Sequence, residues 1–308
     1  MTMEFRTLRA FVEVIRQGGF SQAAKVVFTT QSAVSKAVKQ LEAEAGVPLI
    51  DRVGHRSSLT AAGEVVYRRA LRLLAERDDL VAELGEIRGL QSGVLRLGLP
   101  PMGSALLFAP LFATYRRRFP GIEIRLVEYG SDRLEAMLRA GEIDLAVSLL
   151  PVAEDFDWHE VRREPLEVML PRGHALVAEG EVTLDSLRGE PFILFESGFA
   201  LNRIILEACR GRGFEPTVAA RSSQMDFIVE LAAAGVGVAF LPRLLAAHRL
   251  RPGVARLPLR APAIDWDIAM IWRRGAFLSH AAKAWLAVAR ASDGETVPAA
   301  VQAGPESG

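Results

Sequence analysis

The sequence predicts an α+β chain of several domains, all-helical at the front and alternating between strand and helix behind. Three observations predict it. Phe20 to Leu41, FSQAAKVVFTTQSAVSKAVKQL, reads as two short helices joined by a tight turn. From Thr60 about 30 residues keep a heptad pattern. After Gln91-Ser92-Gly93, β-rich runs such as VLRLGL and IEIRLVE alternate with helical periodicity, the grammar of a parallel α/β unit.

The front begins with a helix over residues 4–17, with Phe5, Leu8, Phe11, Val12 and Ile15 on one face and Gly18-Gly19 to end it. Ser21 and Thr30 are the expected caps of the next two helices, each hydroxyl accepting an orphaned N–H. On the second of these, Val34, Ala37, Val38, Leu41 and Ala45 form one narrow apolar stripe. Ser32, Lys36 and Lys39 point away from it, with Ser35 on the flank. Such a helix suits the DNA major groove, its first turn reaching base edges and its lysines meeting phosphates. An ordinary solvated helix face is the competing reading. Gly46-Val47-Pro48 closes the helix. The short basic stretch Leu49 to Leu59, with Arg52, His55 and Arg56 around Gly54, is expected to be a wing that positions the domain on phosphate or the minor groove. A plain surface turn is its alternative. Residues 1–59 thus read as a winged helix-turn-helix DNA-binding domain. The charges agree: the whole chain sums to zero, yet through Thr60 eight Lys/Arg stand against five Asp/Glu, a local basic face.

Residues 60–90 form the linker helix. Val66, Ala70, Leu73, Arg77, Leu80, Leu84 and Ile87 alternate in steps of four and three, a seam with one polar break at Arg77. About 30 residues at 1.5 Å span ~45 Å, more than a small winged domain can cover. Dimerisation through this helix is expected, with two recognition helices presented to half-sites a helical turn or more apart.

The stretch LRAFVEVIRQGGFSQAAKVVFTTQSAVSKAVKQLEAEAGVPLIDRVGHRSSLTAAGE, Leu8 to Glu64, resembles the LysR-type transcriptional regulators. The chain departs from the usual pattern at Val27-Phe28 (commonly Leu-His), Ser32 (commonly Pro) and Ile50-Asp51 (commonly Phe-Glu). The resemblance implies that Gln31, Ser32, Ser35 and Lys36 face bases, and that Lys39, Arg52 and Arg56 meet phosphates.

Behind the linker, strands are expected at 94–99, 122–128 and 143–148, with helices at 104–118, kinked at Pro110, and at 131–140, closed by Gly141. Further strands are expected near 165–171, at 192–195, near 218–221 and at 236–241, with helices at 200–210 and 224–234. A strand at 266–272 and a helix at 279–292 return to the first lobe. The resemblance implies a two-lobed α/β, periplasmic-binding-protein-like effector domain over residues 91–295. Lobe 1 takes about 91–162 and 267–295, and lobe 2 about 163–266. Residues 296–308 have little to bury and read as a mobile tail.

In open parallel sheets ligands sit beyond the carboxyl ends of strands, facing helix N-termini. Those places hold Ser104, Ser131, Ser148 and Ser197, and hydroxyls with free N–H groups favour an anion. A small organic acid effector bound by these serines is expected, with Arg203 a candidate for its charge. Each serine taken singly also reads as a plain cap or loop hydroxyl, and Glu196 counts against a purely anionic ligand. By population shift an effector that prefers the closed cleft would alter the relative disposition of the effector domains in the oligomer, and with it the spacing and bending of DNA between half-sites.

Other classes fit less well. Gly235-Val236-Gly237 lacks the third glycine of a dinucleotide fingerprint and precedes a strand rather than following one. The five histidines are scattered without metal-ligand spacing, and Cys209 stands alone in a helical apolar pattern as a small core residue. No catalytic motif, cofactor or metal site is expected, so the chain does not read as an enzyme. No apolar run reaches membrane length, and MTMEFRTLRAF lacks the layout of an export signal, which points to the cytoplasm and away from a solute-binding protein. Expected partners are double-stranded DNA, the effector, and a second copy through the linker helix. A dimer-of-dimers tetramer and RNA polymerase complete the list of candidates. A DNA-binding protein whose rear half only mediates oligomerisation is the alternative.

Overall fold

The computed structural model describes residues 3–51, 58–87, 93–249, 251–260 and 263–292. The front domain packs three helices, Phe5–Arg16 (α1), Phe20–Val26 (α2) and Gln31–Ala45 (α3), around Leu8, Phe11, Val12, Val34, Val38 and Leu41. Gly46 ends α3 in the left-handed region, φ 72°, where a side chain would be strained. Two short strands, Ile50–Asp51 (β1) and Ser58–Leu59 (β2), pair antiparallel and frame the wing. Ser21 is not a cap: α2 starts one residue earlier, Gly19 holds the capping position, and no side chain caps it.

The linker helix Ala61–Ile87 (α4) starts where the Thr60 hydroxyl accepts the Gly63 N–H at 2.9 Å and donates to the Pro48 carbonyl at 2.8 Å. The expected seam divides. Val66 and Ala70 pack into the front domain's own core, whereas Leu73, Leu80 and Leu84 stand about half exposed on the outer helix. Arg77 breaks the seam by pairing with its neighbour Asp78.

The rear domain follows the order Gly93–Leu99 (β3), Ser104–Leu107 (α5), Ala109–Arg118 (α6), Ile122–Glu128 (β4), Ser131–Ala140 (α7), Leu145–Leu149 (β5) and Phe156–Pro171 (β6). Then come Val182–Thr183 (β7), Phe192–Phe195 (β8), Ala200–Gly211 (α8), Val218–Ser222 (β9), Met225–Ala233 (α9) and Val238–Pro242 (β10). Arg243–Ala247 (α10), Val254–Arg260 (β11), Asp265–Arg273 (β12) and His280–Ser292 (α11) complete it. Strand order is β4-β3-β5-β12-β6-β10-β8-β9, with β11 on β6 and β7. β3 runs parallel to β4 and β5, and β8 parallel to β9 and β10. β6 is common to both halves: its first part pairs antiparallel with β12, and its last part lies between β10 and β11.

Three expectations change. The helix expected over 104–118 is two helices, because Pro110 sits in the first turn of α6 and begins a helix rather than kinking one. β6 starts nine residues before the strand expected near 165. β7, β11 and the short α10 have no counterpart among the expected elements. The proposed tail, residues 296–308, lies outside the described residues. No described helix is long and apolar enough to cross a membrane.

The linker helix docks on lobe 1. A methyl on Gly141 would stand 2.4 Å from the Ala75 Cβ, so only glycine allows this approach. Arg273 pairs with Glu76 at 3.0 Å, and Arg16 of α1 reaches Glu142 at 2.9 Å. Asp79 lies in the same seam. Burial, with Asp144 and Glu76 nearby, pushes its carboxyl up to about 6 against the pull of Arg96 and Arg273.

Candidate functional site

The first surface is the outer face of α3. Thr30 caps the helix as expected, its hydroxyl accepting the Ala33 N–H at 3.2 Å and sharing a hydrogen bond with Ser32 Oγ at 3.0 Å. Val34, Val38 and Leu41 are fully buried, while Ala37 and Ala45 are half-buried. That burial fixes the rotation of the helix. Gln31, Ser32, Lys36 and Lys39 are exposed and Ser35 half-buried. The side chains expected to meet DNA therefore lie on one solvated face at the capped end, where free N–H groups also favour phosphate. Glu42 ties the far end of α3 to the wing, accepting the Leu49 N–H at 2.9 Å and the Ile50 N–H at 3.2 Å. Gly63 adds a second tie: a methyl there would lie 2.0 Å from the Leu49 carbonyl oxygen. Arg52 and Arg56, expected on the wing, lie outside the described residues, as does His55.

Sequence reasoning missed a groove beside this face. Arg6 and Arg9 of α1, Val27 and Phe28 of the turn, and Ala33 and Ala37 of α3 line a cavity of about 540 Å³. Phe28 is 95% exposed and holds φ 52°, a conformation uncommon for a bulky residue. Its departure from the resemblance pattern was the available signal.

The second candidate is the cleft between the lobes. Pro100, Met102, Ser131, Val147, Ser148, Phe199 and Trp266 are among the residues enclosing a cavity of about 10 Å³. The lobes touch beside it: the Asp132 N–H reaches the Gly198 carbonyl at 3.4 Å, and a methyl on Gly130 would lie 2.6 Å from that oxygen. Two of the expected serines are here. Ser131 is buried at the start of α7, and Ser148 is buried at the end of β5, donating to Glu135 Oε1 at 2.8 Å. The others are not. Ser104 donates its hydroxyl to the Pro100 carbonyl, a local use of its proton. Ser197 is exposed in the loop after β8. Arg203 is exposed on α8, whose inner face is taken by Leu201, Ile205 and Cys209. Among the described residues lining the cavity none is basic, so the lining gives the expected anion no counter-charge.

Two further residues, one beside the cleft and one lining it, had no signal in the sequence. Asn202 locks the loop after β8, its Oδ1 accepting the Phe195 N–H at 3.1 Å and its Nδ2 donating to the Phe195 and Glu196 carbonyls at 2.8 and 3.0 Å. Trp266, on β12, is 1% exposed and its Nε1 has no hydrogen-bond partner. Among the described residues no group of three or more His, Cys, Asp and Glu side chains is arranged to hold a metal ion.

Comparison with known proteins agrees with this two-part layout. Residues 5–64 match the bacterial regulatory helix-turn-helix protein, lysR family, and residues 88–294 match the LysR substrate binding domain. The chain is 35% identical over 285 residues to the HTH-type transcriptional regulator YwbI of Bacillus subtilis, covering 92% of this chain and 95% of that protein. It is 31% identical over 247 residues to the B. subtilis HTH-type transcriptional regulator AlsR, covering 78% and 80%. In fold it is similar to full-length OxyR from Pseudomonas aeruginosa (TM-score 0.73, 26% identity, 95% of each chain). It is also similar to CbnR bound to its target DNA (TM-score 0.62, 23% identity, 94% of this chain and 99% of that one). The chain belongs to the LysR family of transcriptional regulators, non-enzymatic DNA-binding proteins with a C-terminal effector-binding domain.

Proposed function

We propose that this regulator reads its operator through α3 of two chains joined by their linker helices, under the control of a small molecule held between its lobes. The observation that carries the reading is the division of α3: Val34, Val38 and Leu41 are buried, Ser32, Lys36 and Lys39 are exposed on the side away from them, and Gln31 is exposed at the capped first turn. Gln31, Ser32, Ser35 and Lys36 face base edges. Lys39 meets phosphate, and the same role falls to Arg52 and Arg56. The similarity to CbnR, solved in complex with its target DNA, supports duplex DNA as the partner.

The half-exposed Leu73, Leu80 and Leu84 support dimerisation, since a row of leucines on a long helix gains by burial against a second copy. Pairing of dimers into a tetramer and contact with RNA polymerase are further proposals in the same scheme. The working division is 1–59 for DNA, 60–90 for pairing and 91–295 for sensing. Of the expected effector residues, Ser131 and Ser148 are the ones supported by burial in the cleft. Ser104, Ser197 and Arg203 would join only if the lobes moved. Such movement is the proposed signal, because β6 and β12 link the lobes and α4 docks on lobe 1.

Fluorescence anisotropy with the DNA upstream of the regulator's own gene tests the reading. Tight, salt-dependent binding that exceeds binding to random duplex is expected. Equal affinity for both would end it.

A further inference from the structure

The chemistry of the cleft also bears on what it binds, an inference that rests on the inter-lobe site just proposed. Three polar side chains line this small, largely apolar space, and their hydrogen-bonding capacity is unequal. The Trp266 indole can only donate, and its N–H is buried without an acceptor. The Ser148 proton is committed to Glu135 at 2.8 Å, so the free capacity of its oxygen is to accept. Ser131 can do either. A buried donor left unpaired costs free energy, and a ligand acceptor placed on Trp266 recovers it. A ligand donor placed on Ser148 completes the pair. Between them the walls are Met102, Val147, Phe199 and Ile268. Among the described residues no basic side chain lines the space, and the Glu135 carboxylate accepts the Ser148 hydroxyl.

We propose that Trp266 is the specificity-determining donor of the effector site, and that the site takes a small neutral molecule carrying both an acceptor and a donor on an apolar body. A carboxamide or an alcohol meets that description. The matching carboxylate does not: it offers no donor to Ser148 and brings a negative charge toward Glu135. A site built to hydrogen-bond a particular group rejects its isostere strongly, because the polar partners are then left unpaired. The cavity holds about 10 Å³ with the lobes in contact at Gly130 and Gly198. Entry of any such molecule therefore parts that contact and moves one lobe against the other.

The test compares benzamide, cyclohexanecarboxamide and benzyl alcohol with benzoate and cyclohexanecarboxylate, on the full chain labelled with ¹⁵N at the indoles. The chain has four tryptophans, so the Trp266 resonance is identified by its loss in Trp266→Phe. If that variant does not fold, the three other tryptophan-to-phenylalanine variants identify it by elimination. The neutral probes should move the Trp266 indole resonance and bind at least tenfold more tightly than the acids. Trp266→Phe should weaken them about three- to tenfold, the range of one neutral hydrogen bond. Acids that bind as well as the amides, or neutral probes that bind without moving the Trp266 resonance, would overturn the assignment and leave the cleft as an effector site. No binding by any of the five probes to the wild type would overturn the cleft reading and the assignment together.

Discussion

The outer face of α3 and the inter-lobe cleft are both built from small polar side chains, yet their surroundings are opposite. On α3 the hydroxyls, amide and lysines are solvated and can exchange water for bases and phosphates. In the cleft Ser131, Ser148 and Trp266 are almost wholly buried, so each unmet hydrogen bond there costs more than it would in water. The contrast teaches that the front surface is tuned by which groups it displays, and the rear by which groups it leaves unpaired. Small changes at the front should alter preference, whereas small changes at the rear should alter conformation.

The largest effect should come from neither surface but from what doubles the first. Leu80→Glu places a charge in the exposed leucine row, and analytical ultracentrifugation should show monomer. Operator affinity should then fall by about two orders of magnitude, because linked half-site binding is lost. A dimer that persists would move the pairing elsewhere. Next, Gln31→Ala or Ser35→Ala should change sequence preference by ~1–3 kcal/mol at one base pair if a base contact is lost, as read by competition against single-base operator variants. At the rear, Gly130→Ala should force the lobes apart, since a methyl would lie 2.6 Å from the Gly198 oxygen. The expected cost is ~1–3 kcal/mol of stability, with a wider scattering profile and no change in the sequence preference of DNA binding. An altered preference would break the distinction between the two regions.

A smaller effect belongs to the junction between them. The Asp79 carboxyl is raised to about 6 by burial, so the folded chain holds that proton more tightly than the unfolded one. Its stabilising contribution is complete below the unfolded value near 4 and is lost as pH rises through 6. Asp79→Asn should therefore gain about 1 kcal/mol at pH 7.5, allowing for partial solvent screening, and only a small fraction of that at pH 4. Melting temperatures across that range check the sign. Smallest is Lys39→Ala, which should weaken all duplexes alike and lower the salt slope by about one unit.

Much of this was legible in the residues. The α3 stripe and the Thr30 cap are local patterns, and local periodicity alone sets which side chains face out. The first half of β6 was not legible, because FDWHEVRRE carries its polar residues at the joint between lobes and shows no clean alternation. β11 was hidden by Pro258 inside VARLPLR. In the cleft, strand-end reasoning located Ser131 and Ser148 but could not say where the Ser104 proton goes. The outward position of Arg203 was readable: Leu201, Ile205 and Cys209 already claim the inner face of α8, which turns position 203 to solvent. Trp266 could be placed on a strand, but its unpaired N–H exists only once β12 is set against the loops of both lobes.

The most direct test of the account is footprinting of the upstream DNA by wild type and by Gln31→Ala, each at matched occupancy. The account predicts two protected half-sites a helical turn or more apart for the wild type, with the base preference inside both half-sites altered together by the substitution. A single protected site, or two whose preferences ignore residue 31, would contradict it.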